Sequence, residues 1–367
     1  MNDRIVIAVD LDYFFAQCEE VRRPEIQRKP VVICVYSGRT GDSGAVSTAN
    51  YVARKKGVKS GVPISVARKL LEDSKDAIFL PVDQEYYKAI SERIMELLRS
   101  FSYNFEQVSI DEAFLDLSSV AHNDYNVALE IASKIKSQIM EAERLTCSVG
   151  ISKNKLLAKM AADSQKPDGL TALRPESIAD TINPLPVGKL PGVGTKTEKR
   201  MEELGIHTIG DLALFNREIL AAEFGRNLGP HLASLACGID NEPVQERERQ
   251  QLGRIITLKH DTSDFSFAEE IRPLIADISK RLRSSNSRCK MIGIIVITSA
   301  LKTKSRAKTL DQPTDSEEVI IAVSSELFKS YFESDQEGIP ARRVGIRVSE
   351  LVDTGHVKSG QSLSDYF

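Results

Sequence analysis

Two short apolar runs tipped with carboxylates limit what this chain can fold into. In Ser109-Ile110-Asp111-Glu112-Ala113-Phe114-Leu115-Asp116, adjacent acids interrupt a pattern that otherwise alternates as a strand does. On a regular strand Asp111 and Glu112 point to opposite faces, so both reach one site only where the chain turns or bulges, as at a hairpin tip. The second run, Ile5-Val6-Ile7-Ala8-Val9-Asp10-Leu11-Asp12, delivers a carboxylate at the C-terminal end of a strand, a common place for a ligand in α/β sheets. If the two strands lie side by side, Asp10, Asp111 and Glu112 converge. Such a cluster repels itself unless divalent cations hold it, and hard oxygen donors suit Mg²⁺ shared with substrate phosphates. The alternative is that each pair is a solvated strand end. Two such ends in one chain favour the metal.

Length and charge narrow the reading further. At 367 residues the chain exceeds one compact core and suggests two to four domains. No apolar run approaches the ~18–20 residues of a membrane span, and the first strand starts too early to leave room for a signal peptide. Five scattered cysteines (Cys18, Cys34, Cys147, Cys237, Cys289) show no zinc spacing and read as reduced, mostly buried thiols of an intracellular, cytoplasmic protein. The net charge of −3 hides an asymmetry: between 249 and 310, thirteen lysines and arginines face five acids. A basic module on an acidic chain is the footprint of a phosphate-backbone binder. Within it Lys302, Lys304, Arg306 and Lys308 alternate with small residues, which on a strand puts all four on one face. A charged edge strand is the alternative.

In chain order, Tyr13-Phe14-Phe15 opens a short helix, with too many aromatics for one buried face. Lys29–Val35 is a strand, and residues 38–51 are rich in glycine and small side chains that let something flat approach the backbone. Tyr51 and Arg54 share a helical face that suits a triphosphate, or belong to an ordinary basic surface helix. Residues 83–100 and 126–144 read as amphipathic helices on a mixed or antiparallel sheet, with helices on one face. Leu190-Pro191-Gly192-Val193-Gly194 resembles a helix-hairpin-helix turn, offering backbone N–H groups to a DNA phosphate. Residues 241–252 have few apolar anchors and read as a linker. Beyond them a β-α-β-β-α-β order suggests a small α+β module. The last residues, 361–367, form an apolar-aromatic tail suited to docking.

Together these segments resemble the Y-family, lesion-bypass DNA polymerases of the archaeal DinB type. The resemblance rests on Val9–Gln17, Lys29–Val32, Ser43–Lys55, Ser109–Ala113, Val149–Lys155 and Leu190–Gly194, and covers residues 4 to 350. It implies a multidomain α+β right hand: palm (1–13 and 80–173), fingers (14–79), helical thumb with a helix-hairpin-helix (174–240), linker (241–250) and a small α+β little finger (251–351), then a tail (352–367). By resemblance Asp10, Asp111 and Glu112, with the Leu11 carbonyl, hold two Mg²⁺, or Mn²⁺ as a substitute. Phe14, Phe15, Ala45, Thr48, Tyr51, Arg54 and Lys166 match the nucleotide pocket, with Phe15 as the steric gate and Ala45 and Val46 as a small roof. Gly192, Gly194, Lys196, Arg254, Lys302, Lys304 and Arg306 are the DNA contacts expected. Leu363, Tyr366 and Phe367 match a sliding-clamp (PCNA) peptide, although Gly360 stands where its glutamine belongs. The partners implied are primer-template DNA, deoxynucleoside triphosphates and the clamp, with no membrane, and the chain is expected to be a low-fidelity monomer without proofreading. A nucleotidyl cyclase has no use for the basic module or the hairpin motif, and a silent DNA scaffold has none for the acidic triad.

Overall fold

The computed structural model describes residues 4–246, 249–335 and 337–353. Contacts divide the chain into two units, residues 1–27 with 85–247 and residues 28–84 with 248–367. The segments that build them are, in order, β1 (Val6–Leu11), α1 (Phe14–Arg22), β2 (Val31–Tyr36), β3 (Gly44–Ala49), α2 (Tyr51–Lys55), α3 (Ile64–Leu70), β4 (Ile78–Pro81), α4 (Gln84–Arg99), β5 (Asn104–Gln107), β6 (Glu112–Asp116), α5 (Tyr125–Glu143), β7 (Cys147–Ser152), α6 (Lys155–Ser164) and β8 (Leu170–Ala172). The helices α7 (Ile178–Ile182), α8 (Thr195–Glu203), α9 (Ile209–Leu214), α10 (Arg217–Phe224) and α11 (Leu228–Ala236) complete the first unit. The second ends with β9 (Gln251–Thr262), α12 (Ala268–Ser284), β10 (Ser287–Thr298), β11 (Thr303–Thr314), α13 (Glu317–Ser334) and β12 (Ala341–Asp353). Among the described residues no helix is long and apolar enough to cross a membrane.

In the first unit the sheet runs β5-β6-β1-β7-β8, antiparallel except for β7 and β8. β7 is buried at all six positions, so the sheet is covered on both faces there, not on one as the sequence pattern suggested. α6 holds the layers together. Asn154 caps it by accepting the Leu157 N–H at 2.9 Å. Its Ala158 and Ala162 pack on Val6, Ala8 and Phe114 of the sheet. Its Leu156, Leu157, Met160 and Ala161 join the helical core of Ile178, Met201, Leu220 and Leu232. A helix apolar on both sides needs two layers to bury it. The segment read as a linker has an anchor after all: Val244 is buried in the Val6–Phe114 cluster, and Glu242 pairs with the buried Lys155 at 3.1 Å.

The second unit contains two sheets. β3-β2-β4 is small, and β3 forms where the sequence suggested an open glycine-rich loop; a Cβ on Gly44 would lie 2.1 Å from the Val35 carbonyl, so that strand start requires glycine. The other sheet, β11-β10-β12-β9, carries α12 and α13 on one face, realising the β-α-β-β-α-β order. Ile292, Ile294, Val296, Val344, Ile346 and Val348 point into that core. Four of the five cysteines are buried thiols, whereas Cys237 is exposed.

Candidate active site

β1 lies between β6 and β7, and its last turn outward sets Asp10 directly across from Glu112. The hairpin joining β5 to β6 resolves the adjacent acids. Ser109 and Val108 donate their N–H groups to the Glu112 carbonyl at 3.2 and 3.0 Å, so the chain turns just before β6 and Asp111 leaves the strand alternation. The Asp111 carbonyl then accepts the Leu11 N–H at 2.9 Å, binding the turn to the end of β1. α6 brings a cation to these acids. Lys159 Nζ contacts Asp10 Oδ2 and lies 3.1 Å from Glu112 Oε2, and Lys166 Nζ lies 2.8 Å from Asp10 Oδ1 and 2.7 Å from Asp163.

The electrostatics are those of crowded charge. Burial pushes the Asp111 carboxyl up, and the Asp10 charge adds to it against the Ser109 hydrogen bond. Burial also raises Glu112, opposed by Lys159. Desolvation alone would lower Lys159 and Lys166, but the carboxylates, Asp10 foremost, outweigh it and raise both. Among the described residues no three of His, Cys, Asp or Glu are arranged to hold a metal as they stand; Asp111 Oδ1 accepts the Ser109 hydroxyl at 2.6 Å, and both lysines lie on Asp10. The donor set nevertheless fits a hard divalent cation: all oxygen, net negative, and already drawing ammonium groups.

Beside this cluster Phe14 is buried while Phe15 is half-exposed, its ring stacked on Tyr87 at 4.4 Å and 14°. Sequence reasoning missed Tyr87, which is fully buried and donates to Glu19 Oε1 at 3.0 Å. Two adjacent tyrosines, Tyr86 and Tyr87, on an amphipathic helix give no hint that one of them floors a distant aromatic.

In the second unit Asn50 caps α2, accepting the Ala53 N–H at 3.0 Å. Arg54 donates to the Ala49 carbonyl at 2.7 Å and to Thr48 Oγ1 at 3.2 Å, and lies 5.1 Å from the Tyr51 ring centre. Thr48, Tyr51 and Arg54 thus form one patch, the last two adjacent on the helix as their spacing suggested. Ala45 is half-exposed, but Val46 is buried with Val32, Cys34 and Ile64 and is not part of a roof.

In the helical layer Gly192 takes φ +92°, and α8 follows Gly194 with no side-chain cap, leaving the first-turn N–H groups open beside the exposed Lys196. The basic strand is different from what alternation alone suggested. Its cations do share a face, but it is the helix face: Lys304 pairs with Asp335 at 3.3 Å, Lys308 with Glu326 at 2.8 Å, Lys302 with Glu337 at 3.7 Å, and Arg306 donates to Ser330 and Ser334. Arg254 likewise pairs with Asp277 at 2.7 Å. The open face of the sheet carries Arg347 between Gly293 and Gly253, and Arg343 between Ile297 and Thr257. Neither arginine has an ion-pair partner among the described residues. Leu363, Tyr366 and Phe367 lie outside the described residues.

Comparison with known proteins agrees with this geometry. Residues 9–163 match the impB/mucB/samB family, 249–362 its C-terminal domain, and 188–240 the DNA polymerase-iota thumb domain. DNA polymerase IV of Nitrosopumilus maritimus is 43% identical over all of both chains, and that of Saccharolobus solfataricus is 40% identical over 95% of this chain and 97% of its own. Among solved structures, a Y-family DNA polymerase chimera superposes with a TM-score of 0.87 at 38% identity over 95% of this chain and 100% of its own. An insertion ternary complex of Dbh DNA polymerase does so at 0.70 and 37% identity, over the same shares. These matches make the chain a DNA-directed DNA polymerase, a nucleotidyltransferase, and its central sheet carries the acids at its tip. The chain belongs to the Y family of DNA polymerases, in its DinB-type DNA polymerase IV branch.

Proposed function

We propose that this chain, by family a DNA-directed DNA polymerase of the translesion type, performs its chemistry with Asp10, Asp111 and Glu112 as the carboxylate ligands of the cation and the Leu11 carbonyl as a further donor. The observation that carries the reading is the pairing of Asp10 with Glu112 under Lys159, where partly buried acids attract positive charge. Mg²⁺ held by these groups, or Mn²⁺ in its place, would supply Lewis-acid activation of the primer 3′-hydroxyl and neutralise charge on the leaving pyrophosphate. Lys166, Tyr51, Arg54 and Thr48 hold the triphosphate, the guanidinium as a bidentate partner. Phe15, braced by Tyr87, collides with a ribose 2′-hydroxyl, with Phe14 behind it, and the small Ala45 leaves room for bulky template bases. Gly192, Gly194 and Lys196 meet DNA phosphates through backbone N–H groups.

On this reading the palm is 1–13 with 80–173, the fingers 14–79, the thumb 174–240 and the little finger 251–351, in a monomer that the tail joins to a sliding clamp. The little finger meets DNA with Arg343 and Arg347 of its open face. Lys302, Lys304 and Arg254 exchange their carboxylate partners, and Arg306 its serine hydroxyls, for phosphate, since pairs at the surface contribute little. Primer extension over undamaged and abasic templates tests the site. Asp111→Asn and Glu112→Gln are expected to abolish extension while primer-template affinity is kept; substantial extension by both variants refutes the assignment.

A further inference from the structure

Asp12 lies two residues beyond Asp10, yet its carboxylate is buried (1% exposed) and turned away from the acidic cluster. It accepts three hydrogen bonds: from Thr146 Oγ1 at 2.8 Å, from Ser148 Oγ at 2.7 Å and from the Asp168 N–H at 2.8 Å. The first two donors flank the start of β7. The third belongs to the turn 165–169, which leads out of α6 and bears Lys166. A second set of contacts secures the same turn: Lys136 Nζ reaches the Asp168 carbonyl at 2.9 Å and its carboxylate at 2.6 Å, and Gly169 N–H donates to Ser148 Oγ at 3.3 Å. The turn has no slack, because a Cβ on Gly169 would lie 2.4 Å from the Gln165 carbonyl.

We infer that Asp12 is a positioning residue for nucleotide binding: it locks the 165–169 turn to the end of β1 and thereby sets where the Lys166 ammonium stands. The inference rests on the reading of Lys166 as a triphosphate contact. A carboxylate suits three converging donors because it only accepts. An amide is uncharged and offers one acceptor oxygen and two N–H groups, so in Asp12→Asn one edge of the side chain stops accepting and the charge that strengthens all three hydrogen bonds is lost. The turn then loosens at the Asp168 N–H, its one backbone link to Asp12, and Lys166 loses its fixed place relative to Asp10. Charge-assisted contacts depend steeply on such placement.

The test is a double-mutant cycle read in nucleotide KM and in kcat. Asp12→Asn is expected to raise the deoxynucleotide KM about tenfold, with primer-template affinity held within about twofold. In a Lys166→Ala background the same substitution is expected to add less than about twofold, since the residue it acts through is gone. An equal factor in both backgrounds, or a fall in kcat with KM unchanged, overturns the inference and leaves Lys166 as assigned. A Lys166→Ala variant with unaltered KM overturns the inference and the Lys166 reading together. If Asp12→Asn does not fold, Ser148→Ala removes one donor and keeps the carboxylate, and a smaller KM rise that vanishes with Lys166→Ala is expected.

Discussion

Gly150 brings the sheet against the backbone of α6, and Gly150→Ala tests whether that contact sets the site. It pairs with Ala8 in the middle of β1. A Cβ there would lie 2.0 Å from the Ala158 carbonyl oxygen and 2.2 Å from the Ala162 nitrogen. Ordinary contact begins near 3.4 Å, so the first is short by about 1.4 Å. Both obstacles are helix backbone, and no side chain can rotate aside. α6 cannot simply retreat, because its other face is packed into the core of Ile178, Leu220 and Leu232. Overpacking usually costs 1–3 kcal/mol, and with two backbone atoms in the way about 3 kcal/mol or more is expected. The shift also carries Lys159 and the Lys166 turn away from Asp10, and a displacement near 1 Å can cost about a hundredfold in kcat/KM. Denaturant unfolding and single-nucleotide insertion kinetics measure the two effects. Gly41→Ala, with nothing within 4 Å of the added carbon, is the control and should change stability by less than about 0.5 kcal/mol. A Gly150→Ala variant losing under about 1 kcal/mol with full activity would refute the argument.

Three further outcomes are expected. Phe15→Ala should admit ribonucleotides, read as the ratio of kcat/KM for deoxy- and ribonucleotides, while Tyr87→Leu should relax the ratio partly by removing the floor on which Phe15 stacks. Unchanged discrimination in Phe15→Ala would reduce it to a core aromatic. Replacing Arg343 and Arg347 by Ala should weaken DNA binding uniformly across sequences and lower the slope of log affinity against log salt by about 2; an unaltered slope would remove the open sheet face from the DNA interface. Asp277 supplies the pH dependence. Burial pushes its carboxyl up, but hydrogen bonds from Arg254 and Arg281 outweigh that and hold it below its ordinary value. A carboxyl lowered on folding adds stability above its unfolded pKa of about 3.8, and that stability is lost as pH falls through the lower folded value. The side chain is partly exposed, so the contribution is small, under about 1 kcal/mol. Asp277→Asn should flatten the stability profile below about pH 4 and nowhere else; equal slopes in both proteins there would reject the role.

Much of this molecule is legible in its chain. Period-two runs that end in Asp10 and surround Glu112 can only be strands with acids at their tips. The glycine-rich turn at 190–194 and the amphipathic helices over 84–99 and 125–143 follow from local chemistry. Tyr51 and Arg54 meet because residues three apart on a helix always do. The rest depended on neighbours from distant segments. Alternation puts Lys304, Arg306 and Lys308 on one side of β11, but only the packing of α13 makes that the paired side and leaves Arg343 and Arg347 on the open one. Asp12 looks like the partner of Asp10 at a strand end until Ser148 and Asp168 surround it. Val244 looks like part of a tether until Val6 and Ala8 cover it. Local sequence determines a residue's period and therefore which residues share a face. Which face is covered, and by what charge, is decided by other chain segments, close in sequence for β11 and α13 but more than a hundred residues away for Asp12 and Val244.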